Sequence, residues 1–179
     1  MNLSFGQRIK DGLIQPWLTH GALDAIEEMD LSNKVVWMWG AGLGDAWLAK
    51  RCKFLFVVER NQEWLLKAQD VCGLNGITNV SYLYRPCNDC NGQDEMYCEV
   101  DVSPDVIIVD DAYRYECIVK ALSMPRPLTL IVDNFNQDFV FICPAAVELM
   151  KEFKGDFYIR ADHTNHEGRP WQTAIWHLT

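Results

Sequence analysis

Three closely spaced glycines have the spacing of a turn that holds a ligand. Gly40, Gly42 and Gly44 follow an apolar run and read G-x-G-x-G. A dinucleotide-binding turn reads G-x-G-x-x-G, because its third glycine lets the helix pack closely while the helix N-terminus binds a pyrophosphate. Asp45 stands at that third position here. We expect an anion there to repel a pyrophosphate and to favour a ligand with a cationic or zwitterionic segment.

A carboxylate that could contact the same ligand, Glu59, ends the next apolar segment. An acid at this point of an α/β fold can accept hydrogen bonds from both hydroxyls of an adenosine ribose. The alternative is an exposed Glu59 that pairs with Arg60. Because the glycine turn precedes it, we favour the ribose interpretation.

Two later apolar segments also end in polar side chains. Asp110 and Asp111 follow one segment, and Asp133 and Asn134 follow the next. The carboxyl ends of parallel strands meet at one edge of a sheet, where ligands bind. We therefore expect these four residues to line the acceptor side of the site, although any soluble chain turns polar where a strand ends.

The elements that must position these residues alternate between strand and helix patterns from residue 34 onward. This alternation predicts a parallel sheet with helices on both faces, and a closing hairpin predicts one antiparallel edge strand. We expect a single domain over 1–179, with a helical cap over 1–33 and an α/β core over 34–179. A bend at Pro16 and Trp17 could cover the sheet or the ligand. The predicted strands are 35–39, 54–58, 80–84, 105–109, 128–132, 157–161 and 173–178, and the predicted helices are 22–29, 46–51, 62–72, 113–122 and 144–153.

The composition restricts the partners and the compartment. The formal charge is −9, which disfavours nucleic acid and anionic lipid as general partners. No apolar run has the length of a membrane span or of a signal-peptide core. The seven cysteines are an odd number and suit reduced thiols. We expect a soluble, cytoplasmic protein.

The stretch "VVWMWGAGLG", the acid after the next strand, "DVIIVDD" and the closing hairpin together resemble the class I S-adenosylmethionine-dependent methyltransferases. The resemblance implies a three-layer Rossmann-like fold with a seven-stranded, mostly parallel sheet whose last strand is antiparallel. It also implies S-adenosylmethionine as the cofactor. Its methionine and ribose parts would lie against Gly40, Ala41, Gly42 and Gly44, and its ribose hydroxyls would bind Glu59.

One position departs from that family. An acid usually stands two residues before the first glycine, and Met38 stands there in this chain. The amino group of the cofactor then needs another partner, for which Asp110 is a candidate. The segments "DDAYRYEC" and "RPLTLIVDNF" resemble a set of small bacterial methyltransferase-like proteins. In that interpretation Arg114 binds an anionic substrate or pairs with Asp110, and we favour the pair.

The acceptor that we expect is a small molecule or a sugar, methylated at oxygen. His163 or His166, in the loop "DHTNHEGRP", could act as the general base, since a histidine pKa lies near the working pH. The alternative is an exposed loop whose histidines have no role. Trp171, at the start of the last strand, is expected to pack in the core.

Metal sites are possible at two places. "VDDAYR" and "IVDNFN" resemble segments of the catechol-type O-methyltransferases, which would place Asp110, Asp133 and Asn134 on Mg²⁺. The basic lysine of that group is absent, so metal-independent chemistry is the alternative. Three cysteines with the spacing C-x₂-C-x₇-C lack a fourth zinc ligand, so ordinary thiols are expected at Cys87, Cys90 and Cys98.

Two other functions compete with methyl transfer. A nicotinamide-dependent oxidoreductase would share the first half of the fold, but it predicts G-x-G-x-x-G and a parallel sixth strand. A non-catalytic module would bind a nucleoside or a protein partner. A cavity that joins the glycine turn to Asp110 and Asp133 would favour the enzyme, whereas an edge filled by Trp17 or Trp47 would favour the binding module.

Overall fold

The structure is a computed structural model that describes residues 8–87, 95–111, 113–135, 144–164 and 170–179, with the backbone alone described for 95 and 160–164. No helix in these ranges is long and apolar enough to cross a membrane. The N-terminal region contains β1 (Ile9–Lys10), β2 (Leu13–Ile14) and α1 (His20–Glu28). The strands β1 and β2 form an antiparallel hairpin, which the sequence pattern did not predict.

The remaining elements alternate as the sequence predicts. One short helix, α4, is not among the predicted elements. In chain order the elements are β3 (Val35–Trp39), α2 (Asp45–Ala49), β4 (Phe54–Glu59), α3 (Gln62–Leu74), β5 (Val80–Tyr84), α4 (Glu95–Cys98), β6 (Val106–Val109), α5 (Arg114–Leu122), β7 (Leu128–Asp133), α6 (Pro144–Met150), β8 (Gly155–Thr164) and β9 (Pro170–Leu178).

Seven strands form one sheet in the order β5-β4-β3-β6-β7-β9-β8. The strand order reverses between β3 and β6, which is where ligands bind in such sheets. The last strand, β9, pairs antiparallel with both β7 and β8. The predicted seven-stranded sheet with an antiparallel last strand is confirmed. The expectation that the antiparallel strand forms the edge was wrong, because β8 folds back outside β9.

Alternate residues of the central strands bury their side chains on opposite faces of the sheet. Met38 packs with Trp47 and Leu48 on one face, together with helix α1. Trp37 and Trp39 pack on the other face, in the cluster that contains α5 and β7. Both faces are therefore covered, which gives the three layers predicted and leaves the strand ends as the open surface.

Backbone hydrogen bonds extend the sheet into the loops at the reversal point. The N–H of Gly40 donates to the carbonyl of Val58 at 2.8 Å, and the N–H of Asp110 donates to the carbonyl of Trp39 at 2.9 Å. The first residue after β3 is thus fixed to β4, and the first residue after β6 is fixed to β3. The glycine turn and Asp110 are held side by side.

Candidate functional site

The glycine turn contains three glycines that are needed for three different reasons. Gly40 has a φ of +99°, a conformation that side chains rarely adopt. A Cβ on Gly40 would lie 2.4 Å from the carbonyl oxygen of Asp110. The turn can pass the end of β6 at this distance only with glycine.

Gly44 and Gly42 face different neighbours. A Cβ on Gly44 would lie 2.3 Å from the nitrogen of Pro16, so Gly44 makes room for the N-terminal segment. A Cβ on Gly42 would have no neighbour closer than Asp45 Oδ1 at 3.8 Å. Gly42 lines a pocket, and its missing side chain leaves that space open to a ligand. The predicted bend at Pro16 and Trp17 does cover the turn.

Asp45 lines the same pocket as Gly42, but it is almost completely buried. Its Oδ1 accepts the N–H of Gly42 at 3.0 Å, and its Oδ2 accepts the hydroxyl of Tyr82 at 3.0 Å. Burial raises the pKa of Asp45 to about 8, so the carboxyl is mostly protonated at neutral pH. Asp45 therefore does not act as the anion that we expected at the helix start: its carboxyl turns inward and accepts the amide of Gly42, which a phosphate would need.

Glu59 ends β4 with both carboxylate oxygens at the glycine turn. Its Oε2 accepts the N–H of Ala41 at 2.8 Å, and its Oε1 accepts the N–H of Asn61 at 2.6 Å. The residue is 5 % exposed, and burial raises its pKa. The two carboxylate oxygens together offer about four acceptor positions, and Glu59 lines the adjoining pocket. Arg60 pairs with Asp111 at 3.0 Å, not with Glu59.

Two adjacent pockets lie over the strand ends at the reversal point. The larger pocket has a volume of about 370 Å³ and the smaller about 270 Å³. The larger volume falls within the roughly 300–1,000 Å³ typical of small-molecule sites. Four residues line both pockets, which makes them neighbouring parts of one cleft: Gly40, Ala41, Trp64 and Asp110.

Trp64 reaches the cleft from the first turn of α3. The helix begins after Asn61, whose side chain accepts the N–H groups of Glu63 and Trp64. This N-cap fixes the start of the helix immediately after Glu59. Trp64, in the first turn after this N-cap, therefore lines both pockets, and Glu59 lines the smaller one with it.

Arg114 holds the ends of β6 and β7 together. Its Nε donates to the carbonyl of Asp133 at 2.7 Å, and it also donates to the carbonyl of Asp111. One terminal nitrogen donates to Asp110 Oδ1 at 3.2 Å and to Asn134 Oδ1 at 2.9 Å. The predicted pair with Asp110 is confirmed.

Asp110 is the acid of this group that opens into the cleft. Its side chain is 32 % exposed and lines both pockets. Desolvation raises its pKa well above the ordinary value, the nearby charge of Asp133 adds to that effect, and Arg114 opposes it. Asp110 therefore lies beside the glycine turn and lines both parts of the cleft.

Asp111 lies at the smaller pocket but is already paired. Besides its ion pair with Arg60, it accepts the hydroxyl of Tyr97, the aromatic residue of α4. Tyr97 in turn packs on Tyr113 with ring centroids 5.4 Å apart. This network fixes Arg60 and the edge of the smaller pocket, so Asp111 positions the walls of the cleft.

Asp133 and Asn134 line neither pocket. Asp133 is 0 % exposed: Oδ1 accepts the hydroxyl of Thr173 at 2.6 Å, and Oδ2 accepts the indole N–H of Trp171 at 2.9 Å. Burial raises its pKa to about 6. Trp171, predicted to pack in the core, instead lies partly buried against Trp17, with ring centroids 5.1 Å apart.

The magnesium arrangement finds no support in this geometry. The oxygens of Asp133 and Asn134 accept hydrogen bonds inside the protein, and the Asn134 oxygen binds the cationic Arg114. Among the residues that the structure describes, no group of three or more His, Cys, Asp or Glu side chains could hold a metal ion. His166 and Cys90 lie outside the described residues, as does the side chain of His163.

Comparisons with solved structures identify the fold of this chain. No protein-family model and no curated protein matches the sequence. A Streptococcus mutans protein solved with SAH is 12% identical, with a TM-score of 0.65 over 88% of this chain and 96% of the other. Precorrin-6y C5,15-methyltransferase from Geobacter metallireducens is 15% identical, with a TM-score of 0.62 over 93% of each chain. The chain has the class I methyltransferase fold.

A third similar structure is longer than this chain. Trm5b from Pyrococcus abyssi is 17% identical, with a TM-score of 0.61 over 94% of this chain. The match covers only 54% of Trm5b, so the chain corresponds to about half of that protein. At these identities the similarity shows a shared fold, and the function must be argued from the cleft.

Proposed function

We propose that the protein binds S-adenosylmethionine in the two-part cleft and transfers its methyl group to an oxygen of a small molecule or a sugar. The observation that carries this proposal is the cleft at the point where the strand order reverses, with Gly42 in one part and Glu59 in the other. Gly42 leaves space in the larger pocket, and the carboxylate of Glu59 lines the smaller one. Asp110 lies between them and lines both.

The residues present fit this cofactor part by part. The carboxylate of Glu59 would accept the two ribose hydroxyls, while its existing bonds to Ala41 and Asn61 hold it in place. Asp110 would bind the amino group, since Met38 stands where the family has an acid and lines the same pocket. A pyrophosphate fits less well, because the Gly42 amide is already bonded to Asp45.

The cofactor supplies an activated methyl group on a sulfonium. The residues of the chain then need to orient the acceptor, exclude water and take up a proton from a hydroxyl. We assign the orientation to the walls of the larger pocket, and His163 remains the proposed base. Asp133 and Asn134, which we expected on the acceptor side, support the cleft through Arg114 and Trp171 instead.

A small acceptor is supported by the charge of the protein and by the size of the cleft. The net charge of −9 repels phosphate backbones, and the larger pocket has a volume of about 370 Å³. Similar folds carry names of nucleic-acid enzymes, among them an rRNA methylase from Streptococcus thermophilus. The acceptor test must therefore include RNA as well as catechols and sugars.

Calorimetric titration with S-adenosylmethionine, S-adenosylhomocysteine and NAD tests cofactor binding. We expect both adenosyl ligands to bind and NAD not to bind, and binding of NAD alone would contradict the proposal. Transfer of a labelled methyl group to pooled catechols, sugars or RNA then identifies the acceptor class. Transfer to RNA alone would overturn the small-molecule assignment.

A non-catalytic nucleoside-binding module is the second candidate. The internal bonding of Asp133 favours it, because the predicted cavity reaches Asp110 but not Asp133. Binding of S-adenosylmethionine without methyl transfer to any acceptor pool would support this alternative.

A further inference from the structure

We propose that Cys98 and Cys117 are a redox modification site, which a small disulfide such as oxidised glutathione converts reversibly into one disulfide bond. The sulfur atoms of the two thiols lie 3.7 Å apart, within hydrogen-bonding distance for sulfur. Cys98 ends α4, and Cys117 lies in α5. Neither thiol lines the two pockets of the cleft, so the site is separate from the proposed function.

The end of α4 packs along α5 through a row of three contacts. The row consists of Tyr97 with Tyr113, Cys98 with Cys117, and Glu99 with Lys120. The ring centroids of the aromatic pair are 5.4 Å apart, and the ion pair spans 2.6 Å. Because these flanking pairs hold the two segments together, the sulfur atoms need only approach from 3.7 Å to the roughly 2.05 Å of a disulfide bond.

The two thiols differ in exposure, and this difference sets the order of the reaction. Cys117 is 0 % exposed, whereas Cys98 is partly exposed. An oxidant in solution therefore reaches the sulfur of Cys98 first. Burial raises the pKa of Cys117, and its hydrogen bond to Cys98 adds to that effect, so this thiol stays protonated in the reduced protein.

The bond forms in two exchange steps. The thiolate of Cys98 attacks one sulfur of oxidised glutathione, which forms a mixed disulfide and releases one glutathione. The sulfur of Cys117 then loses its proton and attacks the sulfur of Cys98, which forms the protein disulfide and releases the second glutathione. The protons of the two cysteines end on the two glutathione thiols. The cysteines lose two electrons and oxidised glutathione gains them, so excess reduced glutathione reverses both steps.

The other cysteines that the structure describes are less suited to this bond. Cys52 and Cys72 are buried, and each contacts an oxygen atom rather than a second sulfur. Cys87 is partly exposed, as Cys98 is, and both pack against the same core cluster. Cys87 therefore provides a matched control, a thiol of similar exposure in the same part of the protein.

The disulfide would hold α4 at a wall of the smaller pocket. α4 has only four residues, and a helix of that length is stable only through its contacts. The hydroxyl of Tyr97 donates to Asp111, which lines the smaller pocket, and the carbonyl of Tyr97 accepts the indole N–H of Trp39 at 3.0 Å. A bond from the adjacent Cys98 to α5 keeps Tyr97 against Asp111, so the redox state sets how often this wall opens.

Incubation of the whole protein with buffered mixtures of reduced and oxidised glutathione tests the site. We expect peptide mapping by mass spectrometry to find Cys98 joined to Cys117, with two hydrogen atoms lost. The thermal midpoint should rise by roughly 4–12 °C, because the bond closes a loop of the unfolded chain. Amide hydrogen exchange in α4 should slow, and excess reduced glutathione should restore the starting values.

Two variants complete the test. Cys98→Ser should lose both the thermal shift and the slower exchange, whereas Cys87→Ser should respond to oxidised glutathione as the wild type does. Thermal unfolding under reducing conditions verifies that both variants are folded. A disulfide between other cysteines, or a thermal shift that Cys98→Ser retains, would overturn the site. Bound zinc that keeps both thiols from exchange, or no bond at any glutathione ratio, would overturn it as well.

Discussion

The ends of β4 and β7 look alike in sequence and differ in what they can bind. Each strand ends in a buried acid whose two oxygens accept hydrogen bonds. At Glu59 the donors are backbone N–H groups of the pocket wall, in Ala41 and Asn61. At Asp133 the donors are side chains of β9, Thr173 and Trp171.

The difference arises from the neighbours of the two strands. β4 lies between two parallel strands, so its carboxyl end is beside other carboxyl ends and stays open. β7 pairs on one side with the antiparallel β9, which places Thr173 directly opposite Asp133. An acid at a strand end thus contacts a ligand only where the adjoining strands do not supply its partners.

Replacing Glu59 should have the largest effect on ligand binding. Glu59→Ala removes the acceptor of two charge-assisted hydrogen bonds, each worth about 1.5–3 kcal/mol. We expect the affinity for S-adenosylmethionine to fall by about a hundredfold or more in calorimetric titration. The two amides left behind face the pocket, where water can bind them. An unchanged affinity would remove Glu59 from the site.

The same change at β7 should act on stability. Asp133→Ala leaves the Thr173 hydroxyl and the Trp171 indole N–H without their partner, and each buried unpaired group costs about 1–3 kcal/mol. We expect a loss of about 2–3 kcal/mol in the free energy of unfolding from urea denaturation. A fully stable variant that loses cofactor affinity as severely as Glu59→Ala would abolish the distinction between the two strand ends.

The glycines of the turn allow a finer comparison. Gly44→Ala places a Cβ against the backbone of Pro16, and overpacking of this kind costs about 1–3 kcal/mol. Gly42→Ala meets no close neighbour and should keep the thermal midpoint of the wild type. Its Cβ fills ligand space, so its affinity for S-adenosylmethionine should fall by about tenfold. Unaltered binding by Gly42→Ala would show that the ligand does not lie against the turn.

Asp45, next to the glycine turn, should make the stability depend on pH. Burial raises the pKa of Asp45 from 3.8 to about 8, so the folded state holds a proton that the unfolded state loses above pH 4. This contribution to stability is complete below pH 4 and is lost as the pH rises toward 8. Asp45→Asn cannot titrate, so the stability difference between wild type and variant should shift against the wild type over this range. Parallel pH profiles of the two midpoints would contradict the raised pKa.

The sequence predicts the scaffold and the placement of Glu59 beside the glycine turn, because these depend on local patterns. Strand and helix periods, the glycine spacing and the position of Glu59 all follow from neighbours along the chain. The hairpin of β1 and β2 is too short to leave such a pattern. The surroundings of Asp133 depend on which strands become neighbours in the sheet. No residue near Asp133 in the chain indicates that Thr173 will be its partner.

The sequence predicts only in part where the N-terminal segment that contains Pro16 and Trp17 runs. The bend at Pro16 and Trp17 was expected to cover the sheet or the ligand, and in the structure Pro16 packs on Gly44 of the glycine turn. The place at which it crosses is set by Gly44, the glycine that the family resemblance assigned to the cofactor. One residue can thus satisfy a ligand-binding motif and serve mainly to admit another part of its own chain.

The bond from the N–H of Thr19 to the hydroxyl of Thr173 joins residues 154 positions apart. Contacts of such separation form late, because the chain between them must first be ordered. The wall of the larger pocket therefore assembles only when β9 has entered the sheet beside β7. During refolding, recovery of ligand binding should coincide with the last step of sheet formation and lag behind the appearance of helices.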